Sequence, residues 1–181
     1  MLAEEIRARL AVEVERLRTV APDVAWVARD NIHLTLKFLG SVETACLDTV
    51  TRALLTAAAG VDPFDVGLRG LGGFPSPARP RVIWAGLGDG AAATAALARR
   101  VDGALATLGF LREARAFSAH VTLGRVRTPR CNRTLAQALA GGGDFGRQRV
   151  DRLVLMHSQL SSRGARYTEL VAAPLGPGGP G

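Results

Sequence analysis

The tetrapeptides His33-Leu34-Thr35-Leu36 and His120-Val121-Thr122-Leu123 nearly copy each other and lie close to half the chain apart. Each sits in an apolar, β-prone stretch, residues 32–39 and 117–126. Successive strand side chains point to opposite faces. The pattern predicts two strands that turn His33 with Thr35, and His120 with Thr122, to one face. Leu34, Leu36 and Phe38 in the first copy, and Val121 and Leu123 in the second, turn to the other. The apolar face packs into a core and leaves the His/Thr face to a cleft or to solvent. Two copies at half-chain spacing constrain the whole fold. They predict an α+β chain of two pseudo-symmetric lobes, each an antiparallel sheet flanked by helices, with a central cleft. The competing explanation is chance repetition of two short motifs.

The remaining sequence fits that plan. Leu2, Ile6, Leu10, Val14 and Leu17 make one stripe of a helix over residues 2–18, which ends at Ala21-Pro22-Asp23. Residues 24–28 are a short strand. Gly40-Ser41 breaks the 32–39 strand, Ser41 and Thr44 offer capping side chains, and a helix runs over residues 43–59. Strands over 64–71 and 82–87 enclose a loop from Gly72 to Pro80. An Ala-rich helix over 91–108 stops at Gly109. After the strand with His120 come a short helix over 134–140 and strands over 150–160 and 167–172. The folded domain spans residues 1–173, and the Pro/Gly-rich residues 174–181 are expected to be disordered.

Composition narrows the setting. Hydrophobic residues make up 48% of the chain but aromatics only 5%, so the core is mostly Leu, Val and Ala. No apolar run approaches a membrane span. Glu4 and Glu5 stand where a signal peptide would carry basic residues, so a cytoplasmic monomer is expected. Cys46 and Cys131 are too few for a disulfide framework and have no metal-ligand spacing. The net charge is +7, and Lys37 is the only lysine among 23 basic residues. Arginine binds phosphate through a planar fork of donors. The balance points to RNA or a nucleotide as partner, against a general preference of the chain for Arg over Lys.

Two histidines on one cleft suit hydrolysis or transfer at phosphorus. A neutral imidazole takes a proton from the attacking water, and a protonated one gives a proton to the leaving oxygen. Thr35 and Thr122 are placed to bond the non-bridging oxygens, and Arg125 to neutralise their charge. Strict alternation would turn Arg125 to the core side. Gly124 is expected to mark a strand irregularity that re-aims it. A metal site would need more ligands, and neither motif has a Cys or carboxylate two positions away, so none is expected. His157 has no Thr partner and is read as an ordinary histidine.

These residues and their flanks resemble the 2H phosphoesterases, in the branch of RNA 2′,3′-cyclic phosphodiesterases and proteins described as 2′-5′ RNA ligases. The resemblance rests on an ordered series: Asn31-Ile32-His33-Leu34-Thr35-Leu36-Lys37-Phe38-Leu39-Gly40, then Gly73-Phe74-Pro75 with Pro80-Arg81-Val82-Ile83-Trp84-Ala85-Gly86. His120-Val121-Thr122-Leu123-Gly124-Arg125 follows, then Ser158-Gln159-Leu160 and Gly164-Ala165-Arg166-Tyr167. It implies a bilobal α+β fold and hydrolysis of a 2′,3′-cyclic phosphate at an RNA end without cofactor or metal. By the same resemblance His33 is the proton donor, His120 the acceptor, and Thr35, Thr122 and Arg125 hold the phosphate, leaving a 2′-phosphate. The chain departs from relatives in opening directly with a helix instead of a strand; the expectation is a sheet short of one strand, the alternative a start codon assigned too far downstream. It also has Ala119 where relatives have Pro, which loosens the backbone before His120. The alternatives are a non-catalytic RNA- or nucleotide-binding module with a degenerate cleft, or 2′-5′ RNA ligation.

Overall fold

The computed structural model describes residues 1–161 and 164–176. The chain divides into two compact units. The first holds Met1–Leu34, Val66–Asp89 and Ala119–Gln148. The second holds Thr35–Asp65, Gly90–Ser118 and the described part of Arg149–Gly181.

The first unit opens with helix α1 (Glu4–Val20), whose Ile6, Leu10, Val14 and Leu17 are buried along one stripe as the periodicity predicts. Glu4 and Glu5 occupy its first turn, where carboxylates oppose the helix dipole favourably. A five-stranded sheet runs in the order β1 (Val24–Trp26), β4 (His120–Val126), β3 (Val82–Leu87), β2 (Phe64–Phe74), β5 (Asp144–Val150). The β1–β4, β4–β3 and β3–β2 pairs are antiparallel. Helix α4 (Arg133–Ala140) begins at Asn132, whose side chain accepts from the Leu135 N–H at 2.9 Å. Leu17, Leu135 and Leu139 pack with Ile83 and Val24, so α1 and α4 cover one face of the sheet.

In the second unit, helices α2 (Leu47–Ala58) and α3 (Ala91–Ala106) pack on an antiparallel hairpin of β6 (Arg152–Ser161) and β7 (Gly164–Pro174). Val50, Leu54, Leu97, Val101, Leu105, Leu153 and Leu155 form its core. The α+β class expected from the sequence holds, with the strands among the described residues divided five to two.

Several elements differ from expectation, each for a physical reason. Residues 32–39 are not a regular strand. They make a single antiparallel bridge, Leu34 to Val121. The neighbouring edge of β4 is already occupied by β1 up to Leu123, whose carbonyl accepts from Val27 N–H at 2.8 Å. A 3₁₀ turn (Arg29–Asn31) separates β1 from Leu34. Alternation fails beyond the bridge: Phe38 is 76% exposed, whereas the Lys37 side chain is 4% exposed. Strand β5 has no period-two apolar signal, since Phe145 is its one buried side chain. Strand β2 continues through Gly72 and Gly73 instead of turning there. Helix α2 starts at Leu47, directly after a 3₁₀ turn (Thr44–Cys46), with Cys46 at its N-cap in place of the side-chain cap expected from Ser41 or Thr44.

Part of the tail expected to be disordered is ordered. Pro174 ends β7, Leu175 is buried and donates its N–H to Asp151 O at 2.7 Å, and Gly176 O accepts from Gly60 N–H at 2.8 Å. The rest of that expectation, residues 177–181, lies outside the described residues. Among the described residues no helix is long and apolar enough to cross a membrane.

Candidate active site

Strand β4 carries most of the candidate chemistry. It pairs with β3 along its length and with β1 at its Gly124–Val126 end. Its register against β3 slips by one residue: Ile83 faces Gly124, but Trp84 faces Thr122. Leu123 is the extra residue between them. Leu123 and Gly124 are consecutively buried, and Arg125 is exposed. The bulge therefore resets the alternation. His120, Thr122 and Arg125 share the face away from α1 and α4, and Val121 and Leu123 fill the core. The irregularity expected at Gly124 is present one position earlier and moves Arg125 to the His/Thr side. Gly124 itself serves packing, since a Cβ there would stand 2.7 Å from Val24 Cγ1 and 2.9 Å from the Trp26 ring.

The Leu34–Val121 bridge brings the first motif to the same strand. In an antiparallel bridge the preceding residue of one strand lies opposite the following residue of the other. His33 is thus opposite Thr122. Its Nδ1 is 2.7 Å from Asn31 O. A carbonyl oxygen only accepts, so Nδ1 carries the hydrogen in this contact. Both His33 and His120 are half-buried.

Thr35 follows the bridge directly, is exposed, and is the first residue of the second unit. Its segment is held by side chains instead of a ladder. Leu36 and Leu39 pack on the second unit's core. Lys37 Nζ donates to Asp102 Oδ1 at 2.6 Å and to Leu111 O at 2.7 Å. The Lys37 hydrogen bond holds the Asp102 carboxyl below its ordinary range, helped by Glu113 N–H at 3.1 Å. The two copies of the motif are therefore fixed by different forces.

Two aromatic residues belong to this face, and the sequence alone assigned them no site role. Phe74 stacks edge-on against His120, with centroids 5.1 Å apart and planes at 86°. Trp84 lies 5.2 Å from Phe74. The Trp84 indole covers Gly72 and Gly86, where a Cβ would come within 2.7 Å of Cε2 and 3.2 Å of Cζ3, respectively. Trp84 Nε1 is buried without a hydrogen-bond partner among the described residues. The available signal was indirect: a scarce aromatic, Trp84, in a chain rich in strand glycines such as Gly72, which it faces. His157 is an exposed residue of β6 opposite Thr168. Cys46 and Cys131 are free and exposed. No group of three or more His, Cys, Asp or Glu able to hold a metal ion occurs among the described residues.

Chemically, this face offers two imidazoles, a hydroxyl and a guanidinium within one stretch of sheet, a set suited to proton transfer beside a bound anion.

Residues 6–161 match the model of the 2′-5′ RNA ligase superfamily. The chain is 31% identical over 171 residues to an RNA 2′,3′-cyclic phosphodiesterase of Methanothermobacter thermautotrophicus, covering 93% of this chain and 92% of the relative. It is 36% identical over 146 residues to one of Aeropyrum pernix, covering 80% and 82%. Among solved structures, a protein of Thermus thermophilus matches with a TM-score of 0.77 at 28% identity, over 96% of this chain and 93% of that one. Escherichia coli LigT in complex with 3′-AMP matches with a TM-score of 0.74 at 26% identity, over 97% and 94%. With its ordered motifs, its antiparallel α+β architecture and a family match across most of its length, the chain belongs to the 2′-5′ RNA ligase superfamily.

Proposed function

We propose that this protein is an enzyme that hydrolyses the 2′,3′-cyclic phosphodiester at an RNA end to a 2′-phosphomonoester, by acid–base catalysis between two histidines. The observation that carries the reading is the bulge in β4, which puts His120, Thr122 and Arg125 on one face with His33 opposite Thr122. The names of the related proteins support the substrate class.

In the proposed reaction His120 accepts a proton from water as the water oxygen bonds to phosphorus. The bond from phosphorus to the 3′ oxygen breaks, and His33 Nε2 gives that oxygen its proton. The product carries a 2′-phosphate and a free 3′ hydroxyl. Charge gathering on the non-bridging oxygens is met by hydrogen bonds from Thr35 and Thr122 and by the Arg125 guanidinium. No metal takes part. Asn31 O fixes the His33 tautomer, and Phe74 braces the His120 ring.

The family model's description favours one further reading, 2′-5′ ligation. A 5′ hydroxyl would then replace water as the attacking group on the same cyclic phosphate, with the same proton transfers.

The test is hydrolysis of an oligonucleotide ending in a 2′,3′-cyclic phosphate by the wild type and by His33→Ala/His120→Ala. The wild type is expected to yield only the 2′-phosphate, and the double variant to lose turnover. A 3′-phosphate product would reverse the leaving group and hence the two roles. Turnover surviving in the double variant would remove both histidines from the mechanism.

A further inference from the structure

The end of the first unit's sheet next to Arg125 carries a second set of cations that the proposed chemistry does not use. Phe74, Val82 and Arg125 pair across β2, β3 and β4 at this end. Beyond them the chain continues as the loop of residues 75–81 on one side and residues 127–130 on the other. Val126 N–H donates to Arg81 O at 2.9 Å, and Arg81 N–H donates to Phe74 O at 2.6 Å, so the two segments are tied together. Pro75, Arg79, Arg81 and Pro129 bound a pocket of about 240 Å³.

Among the described residues no acidic side chain lines that pocket. Arg79 uses its Nε on Pro129 O at 3.3 Å, which orients the guanidinium and leaves its terminal N–H groups. Arg81, Arg125 and Arg127 are exposed and make no ion pair among the described residues. Nearby Arg130 differs: it is neutralised by Asp23 at 2.7 Å. Uncompensated guanidinium groups beside a pocket are an anion site, and forked donors match phosphate. Arg125 pairs with Val82, the residue directly after Arg81, so the pocket adjoins the Arg125 end of the sheet.

We propose that Arg79 and Arg81 bind the phosphate of the nucleotide preceding the cyclic end, so that this protein distinguishes an RNA strand from a cyclic mononucleotide. The proposal rests on the cyclic phosphodiesterase reading, which places Arg125 at the cyclic phosphate. A cyclic end is a 3′ end, so every other phosphate of the strand lies on its 5′ side. The Arg79/Arg81 pocket holds that next phosphate.

The experiment compares wild type and Arg79→Ala/Arg81→Ala on two substrates: adenosine 2′,3′-cyclic phosphate, and a short oligonucleotide ending in the same group. The double variant is expected to lose about 10- to 100-fold in kcat/KM on the oligonucleotide and nothing on the mononucleotide. Its oligonucleotide affinity, read by fluorescence anisotropy, is expected to depend less on salt, by about 0.7 in log–log slope for each phosphate that is no longer neutralised. A thermal melt matching the wild type shows that the fold is kept. Equal losses on both substrates, or an unchanged oligonucleotide rate with an unchanged salt slope, would overturn the proposal. If the wild type cleaves neither substrate, the catalytic reading fails. The anisotropy slopes still decide the phosphate site.

Discussion

Gly72→Ala tests how the sheet's aromatic face is coupled to the histidines. A methyl group at residue 72 would stand 2.7 Å from Trp84 Cε2 and closer still to Cζ2 and Cη2. The indole has little room to retreat, because a Cβ at Gly86 would already lie 3.2 Å from Cζ3 and Phe74 sits 5.2 Å away. Phe74 in turn meets the His120 ring at 5.1 Å. Overpacking of this kind costs about 1–3 kcal/mol. In a chain of this length that lowers Tm by about 2–12 °C. A shift of roughly 1 Å passed on to His120 would lower turnover by up to about 100-fold. The assays are a thermal melt and hydrolysis of a cyclic-phosphate oligonucleotide, with Gly103→Ala as control. A Cβ at Gly103 meets nothing within 4 Å, and alanine favours its helix by about 1 kcal/mol, so that variant should melt higher and turn over normally. Trp84→Leu in the Gly72→Ala background should recover part of the lost stability, a coupling that a double-mutant cycle measures. Gly72→Ala with wild-type Tm and turnover would show that neither the close packing nor its link to His120 operates.

Three further outcomes follow from the proposed chemistry and packing. The rate should trace a bell against pH, because one imidazole must be neutral and the other charged. A flat profile between about pH 5 and pH 8, with chemistry limiting, would contradict the paired roles. Turnover should survive dialysis against EDTA unchanged, and activity restored only by added divalent metal would refute the metal-free mechanism. Lys37 lowers the folded-state pKa of Asp102, so the pair's stabilisation is whole above the ordinary carboxylate value and is lost as pH falls through the folded one. The stability advantage of wild type over Asp102→Asn should therefore shrink as pH drops below about 4. A constant gap down to about pH 2, by denaturant titration, would exclude the ion pair as its source.

The apolar stripe of α1 was legible because a helix repeats its buried positions every three or four residues over 17 residues, long enough to define the period. Strand β4 was legible because Val121 and Leu123 alternate with His120 and Thr122. The irregularity near Gly124 was legible because an arginine in the wrong phase beside a strand glycine needs one. Strand β5 was not, since with Phe145 as its one buried side chain its place comes from the neighbouring β2. Nor was the continuation of β2 through Gly72 and Gly73, where missing side chains make room for the Trp84 ring and for Pro80.

By itself the sequence determined the α+β class, the paired motifs and their chemical groups, because these depend on residue type and local period. Only the tertiary structure decided that the copies are held differently. His120 and Thr122 lie in the regular β3–β4 ladder, whereas the first motif keeps one bridge at Leu34 and then leaves strand geometry. There Lys37 is drawn inward by Asp102, and Phe38, which strict alternation would bury, stays in solvent. Local pattern cannot foresee that exchange, because an ion-pair partner 65 residues away in sequence supplies the force.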